Sequence, residues 1–179
     1  MMLTVLVIVL LAIAALVGVA ATRPDQFRVE RSATIQASPE RIFPLINDFH
    51  RWQAWSPYER KDPAMERSYE GPKAGEGAIY GWNGNKDIGS GRMQITESVP
   101  SSRIEIRLEF FAPFKATNTA EFVLEPRGEG TQVTWAMHGC SSFIHKLMGL
   151  VFNMDKLVGK DFEQGLGHLR SLSEDRATA

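Results

Sequence analysis

His138, Cys140 and His145 bring a thiol and two imidazoles within eight residues of one another. Two chemistries use such a set. A zinc site takes three or four converging ligands, commonly His and Cys at short spacing. Here the three fall at a strand end and the loop after it, with no fourth partner in view. A thiol nucleophile needs a base, and the base needs an orienting group. His138 and Cys140 are two apart and face the same side of a strand, but no third group completes them. Neither metal nor cofactor is expected. His50 and His168 read as surface or capping residues.

A binding chemistry is better represented. The stretch NDFHRWQAWSP, Asn47 to Pro57, gathers a His, an Arg, two Trp and a Pro without a repeating apolar period. Trp52 and Trp55, three apart, suit either the rim of a ligand cavity or packing beneath a sheet edge, with Pro57 fixing the loop. Asn118 shares an alternating face with Phe114, Ala116, Ala120 and Phe122. A polar side chain there needs a partner, supplied by a bound molecule or by the core itself. Tyr80 and Trp82 each set a polar tip on an apolar body, and Met93 and Met148 add adaptable lining. With Trp135, these form the candidate ligand-binding set: Trp52, Trp55, Tyr80, Trp82, Met93, Asn118, Trp135 and Met148. Core packing competes with binding for each. The catalytic residues are unassigned. Glu105 and Arg107 fall on the solvent face by alternation, and no inward pair of carboxylates, or His with an acid, emerges from the pattern.

These residues must be carried by a mostly antiparallel scaffold. Phe27 to Ile35 alternates as a half-buried strand, with Arg31 breaking its apolar face. Ser38-Pro39-Glu40 is a helix start, and Pro44 is expected to kink or shorten that helix. Strand-like segments follow from Glu66: Gly77 to Trp82, Gly91 to Val99, Arg103 to Phe110, Phe114 to Leu124, and a strand holding Val133, Trp135 and Met137. Turns rich in Asn, Gly and Asp separate them, which implies an antiparallel meander. From Ser142 to Ser173 the apolar period changes to three and four, giving a long amphipathic helix. Gly149, Gly159, Gly165 and Gly167 lie inside it, each costing up to about 1 kcal/mol against Ala. Close packing or space for a ligand must offset them.

The first 22 residues carry no charge. As a helix they extend about 33 Å, enough for the hydrocarbon core of a bilayer. A cleaved signal peptide wants a basic n-region and a shorter apolar core; a retained transmembrane anchor fits better. Arg23, Arg28 and Arg31 follow the span and nothing basic precedes it, which places the domain on the cytoplasmic side. The single Cys140 excludes a disulfide staple. With 20 Lys+Arg against 21 Asp+Glu, the chain offers no electrostatic footprint for nucleic acid. The expected organisation is an anchor over 1–22, a linker over 23–26, one domain over 27–175 and a tail over 176–179.

A strand, two short helices, a curved antiparallel sheet and one long C-terminal helix resemble the helix-grip fold of the SRPBCC superfamily, with its START-like and birch-pollen-allergen-like members. More narrowly, WQAWSP, DPAMERSYEGP, GRMQITES, LEFFAPFKATNTAEFVLEP and MGLVFNMDKLVGKDFEQGL resemble a bacterial subgroup labelled polyketide cyclase/dehydrase. The resemblance implies an α+β fold whose curved sheet wraps the C-terminal helix, here preceded by one transmembrane helix. It also implies a cavity between sheet and helix for an apolar or amphipathic molecule, lipid or polyketide-like. Fold does not fix function. The expectation is a membrane-anchored binding module. The alternatives are a cyclase or dehydratase in the same cavity, and an interaction module with a filled core.

Overall fold

In the computed structural model, residues 2–141, 146 and 154–175 are described, without the side chains of residues 3, 9, 12, 13 and 154. The alternation beginning at Phe27 becomes strand β1, Gln26–Ile35. Helix α2, Pro39–Asn47, starts at Ser38 and buries Ile42, Phe43, Leu45 and Ile46. Pro44 lies inside it and removes the N–H that would bond the Glu40 carbonyl one turn back; the helix ends at Asn47, where Asp48 turns extended. A 3-10 helix follows at Phe49–Ala54, then the single turn α3 at Pro57–Lys61. The stretch Asn47 to Pro57 therefore runs from the last residue of one α-helix to the first residue of the next. Its apolar period is three, not 3.6. Phe49, Trp52 and Trp55 eclipse one another because a 3-10 helix has three residues per turn.

Strands β2 (Glu66–Glu70), β3 (Ile79–Asn83), β4 (Ser90–Val99), β5 (Arg103–Ala112), β6 (Ala116–Arg127) and β7 (Gly130–Cys140) form the meander. β1 closes it by pairing with β7, so the seven strands run β1-β7-β6-β5-β4-β3-β2. Register aligns the core-facing residues in rows across the sheet. One row runs Phe27, Gly139, Asn118, Leu108, Met93, Tyr80, Tyr69. Two residues further along, Ala116, Phe110, Gly91, Trp82 and Arg67 form the next. Strand β6 begins later than the alternation implied, and Phe114 stays outside it, 50% exposed. Glu105 and Arg107 face outward as expected, in a ladder where Arg103 binds Glu97, Glu105 and Glu121, and Arg107 binds Glu109.

The C-terminal helix α4 covers Met154–Asp175; the expected first part of that helix, 142–153, lies outside the described residues apart from Lys146. Two of its glycines have a clear cause. Arg31, the charge that breaks the face of β1, crosses α4 at Gly159, where an added Cβ would sit 2.0 Å from the guanidinium. Its partners stand one turn to either side: Asp155 at 3.0 Å and Glu163 at 2.8 Å. Those bonds hold Arg31 above its ordinary pKa, and the Arg31 bond holds the Asp155 carboxyl below its own. At Gly165 an added Cβ would meet the Trp135 ring at 2.7 Å and Pro57 at 3.0 Å. Gly167 meets nothing within 4 Å, and no contact explains it.

Helix α1 covers Met2–Ala21 and holds no acid or base in its terminal turns. Among the described residues, no helix is long and apolar enough to cross a membrane. The span expected over residues 1–22 is thus not established by the structure. Ten large apolar side chains of α1, Leu6, Ile8 and Leu11 among them, are exposed.

In an open helix position Gly→Ala is stabilising by about 0.5–1 kcal/mol. Gly159→Ala should instead lower the melting temperature, because the methyl displaces Arg31 from both carboxylates. In an Arg31→Ala background the same change should become stabilising. A thermal-denaturation double-mutant cycle reads the sign reversal, and additive effects would refute the crossing.

Candidate functional site

The concave face is closed at one end and open at the other. At the closed end, Trp52 and Trp55 are 4% and 0% exposed, so neither forms a rim. Their indole N–H groups donate to the Ile46 carbonyl at 2.8 Å and the Leu45 carbonyl at 2.9 Å. Trp55 meets Phe122 and Trp135 edge-on, and Trp135 stacks between Phe122 at 4.9 Å and Phe162 of α4 at 4.0 Å. These rings fill the space between sheet and helix. The expected entrance is a core plug. Trp135 is buried too, and its Nε1–H finds no acceptor among the described residues. His168 donates from Nδ1 to the Trp55 carbonyl at 3.1 Å, a structural tie.

Exposure grows toward the other end. Ile95 and Ile106 are fully buried; one row on, Met93, Leu108 and Asn118 keep 8–9%. Beyond them Trp82 and Phe110 are half-buried, their rings edge-on at 5.8 Å, and Met137 and Phe27 are half-buried beside Asn118. Trp82 lies flat over β4 because its partner there is Gly91, where a Cβ would meet the indole at 2.5 Å. Asn118 lies over Gly139 in the same way, its Oδ1 2.3 Å from where that Cβ would stand. The amide is thus held flat within an apolar floor. Of the expected set, Trp82, Met93 and Asn118 are brought together here, with Tyr80 stacked on Trp82 at 6.3 Å. Trp52, Trp55 and Trp135 are in the plug, and Met148 lies outside the described residues.

A buried polar trio borders this floor. Glu59 of α3, 6% exposed, accepts from the Tyr80 hydroxyl at 2.6 Å and from Arg67 Nε at 2.8 Å. Arg67 also donates to the carbonyls of Met65 and Pro63. Burial first, then the Glu59 bond, raise the Tyr80 pKa far above that of a free phenol. Burial opposes the Arg67 charge, yet the Glu59 bond and charge more than offset it and leave the pKa raised. A general acid works best with a pKa near the operating pH, and Tyr80 is moved away from it. The trio ties α3 to the sheet edge.

Sequence reasoning missed Glu59 and Arg67. Glu59 sits in a run of charges, Glu59 to Asp62, that reads as a solvated face. Arg67 and Tyr69 alternate with Glu66, Ser68 and Glu70, and that pattern was the available signal. Outside the concave face, two grooves of about 270 and 250 Å³ flank His50; the first is lined by Tyr69, Gly71 and Lys73, the second by Arg51, Gln53 and Leu172. The His50 ring stacks on Tyr69 at 4.0 Å and its Nδ1 lies 3.0 Å from Asp48, which is itself the residue that caps the 3-10 helix.

Trp55→Ala removes a fully buried indole and should destabilise by about 3–5 kcal/mol in denaturant unfolding. The tyrosines supply a second check. Burial, with the Asp161 charge, also raises the Tyr58 pKa. Both groups stay neutral in the fold while the unfolded chain ionises near pH ~10. Stability should therefore be full below that pH and fall above it, by about 1.4 kcal/mol per unit per tyrosine. Phenolate absorbance from Tyr58 and Tyr80 should appear only with unfolding. Ionisation of Tyr80 with the fold intact would contradict its burial.

Solved structures share this architecture at low identity. Protein CV1439 from Chromobacterium violaceum is 18% identical with a TM-score of 0.59, over 85% of this chain and 99% of that one. SA2116 from Staphylococcus aureus, a protein of unknown function, is 14% identical with a TM-score of 0.63, over 86% and 97%. The di-domain aromatase/cyclase StfQ of the steffimycin biosynthetic pathway is 9% identical with a TM-score of 0.62, over 86% of this chain and 52% of its own. Likeness at these identities carries the fold alone. No curated protein matches the chain. Family assignment rests instead on a sequence model that fits residues 26–174, the whole sheet and nearly all of α4: the chain belongs to the polyketide cyclase/dehydrase and lipid transport family.

Proposed function

We propose that this chain is a membrane-anchored module that binds an apolar or amphipathic small molecule on the open end of its concave face. The observation that carries the reading is the half-buried floor of Trp82, Phe110, Met137 and Phe27, with one amide, Asn118, set among them. A few placed polar groups in an apolar lining are what small-molecule sites use to orient a ligand. The family's range, which includes lipid transport, supports an apolar ligand. The pKa values of Tyr80 and Arg67, which border the floor, are both raised further from neutrality, which favours binding over acid–base catalysis by a cyclase or dehydratase. The aromatic plug favours a second reading, an interaction module with a filled core.

The anchor is α1: an uncharged helix with bare Leu, Val and Ile side chains has no stable place in water. With Arg23 and Arg28 after the span, the domain lies on the cytoplasmic side.

Native mass spectrometry of the membrane-extracted chain, followed by solvent extraction, tests the site. A co-purifying apolar compound should lose several-fold occupancy in Trp82→Ala and Asn118→Ala, with melting temperatures close to wild type. An empty protein, or variants that lose stability and not occupancy, would return the floor to the core and leave the filled-core reading. Alkaline-carbonate washing should leave the protein in the membrane, and a C-terminal reporter should report a cytoplasmic location.

A further inference from the structure

The β5–β6 hairpin ends in a run that the fold leaves bare. Phe111, Ala112, Pro113, Phe114 and Lys115 are all exposed, Phe111 by 52% and Phe114 by 50%. Four of the five are apolar, and two are aromatic. Single exposed apolar residues are ordinary on a protein surface; two Phe on one tip are a patch that a second phase would cover. The tip is braced in place. Gly89 in the β3–β4 turn has φ +68, and a Cβ there would stand 2.1 Å from the Ala112 carbonyl oxygen.

Topology decides what the tip faces. Strand β1 enters the sheet at the same end at which β5 leaves it: Phe27 is level with Gly139, Asn118 and Leu108. Chain beyond Leu108 runs past Phe27 by about 10–13 Å at about 3.3 Å per residue. Sideways, β5 lies three strand spacings from β1, about 14 Å. Only Thr22 to Asp25 separate α1 from β1, a reach of about 14 Å at full extension. A bilayer that holds α1 is therefore within the tip's own projection.

We propose that Phe111 and Phe114 insert into the interfacial layer of the bilayer that holds α1, so that the open end of the concave face meets lipid; this rests on the anchor reading above. The occupant is a lipid surface, and apolar insertion drives the contact. Lys115 at the tip and Lys86 and Asp87 on the neighbouring turn sum to a net charge of only +1, so the apolar side chains, not an anionic headgroup, supply the main attraction. Aromatic side chains favour this boundary, where an apolar ring meets a wet layer.

The test uses the full-length chain with Cys140→Ser, reconstituted in phosphatidylcholine vesicles. An NBD label is placed at Phe111→Cys, at Phe114→Cys, or at Glu129→Cys on the exposed β6–β7 turn at the far end of the sheet. The labels at 111 and 114 should emit to the blue of the label at 129 and show a several-fold lower iodide quenching constant. Adding phosphatidylserine should leave this unchanged. Carbonate washing of the same vesicles separates the two readings. Labels at 111 and 114 as wet as 129, on protein that resists the wash, would overturn the tip and keep the anchor. Protein released by the wash would overturn the anchor and the tip together. Protection that grows with protein density at constant lipid would identify a second copy as the occupant and overturn the proposal.

Discussion

The carbonyl end of α2 is the constraint from which the interior is built. A helix leaves its last four carbonyls without intrahelical partners. Here the helix passes straight into Asp48 in an extended conformation, with no glycine cap. Three of the four carbonyls are met from outside: Leu45 by the Trp55 indole, Ile46 by the Trp52 indole, and Asn47 by the Gly75 amide at 3.0 Å. Leaving a buried carbonyl unmet costs about 1–3 kcal/mol. The two tryptophans thus cap a helix as well as fill a core. Once their nitrogens are fixed, the rings have one place to go, and Phe122, Trp135 and Phe162 stack around them.

The same constraint passes to α4. Trp135, pressed up by that stack, meets the helix at Gly165, where no side chain would fit. Arg31, beside Trp135 in register, meets it at Gly159. Helix α4 is thus keyed to the sheet at two glycines six residues apart, one receiving a ring and the other a guanidinium. A ring of this kind buries about 150–250 Å², about 4–6 kcal/mol at about 25 cal/mol per Å², against about 2 kcal/mol of lost helix propensity for two glycines.

Much of this was legible in the residues, and the misses share a cause. Alternation located β1, β4, β5 and β7 because half-buried strands write their face into the sequence, and Ser38 with Pro39 marked α2 to the residue. Phe49, Trp52 and Trp55 escaped notice as a set because period three belongs to neither the α-helix nor the strand. Phe114 was read as inward because alternation continues past the point where the strand stops. Glu59 and Arg67 were hidden because charge predicts exposure, and only three-dimensional pairing overrides it. The helix glycines were recognised as a cost; what offsets the cost at Gly159 and Gly165 lies on β1 and β7, distant in sequence and therefore unreadable from α4 itself.

A sheet so filled at one end can offer a ligand only its other end, and the rows say how. Going outward from Ile106, each step replaces an aliphatic side chain that touches protein on all sides with one that keeps some free surface, until Trp82 and Phe110 stand half bare. Gly91 and Gly139 remove the side chains that would otherwise lift Trp82 and Asn118 off the sheet. Flattening the indole in this way leaves part of its upper face free, while the Asn118 amide lies buried beside it. An indole face suits any apolar or π-rich surface, whereas the amide sets direction through its donors and acceptor. In the proposed reading, affinity comes from the floor and orientation from Asn118. The end of the sheet where both are found is also the end at which the chain leaves for α1.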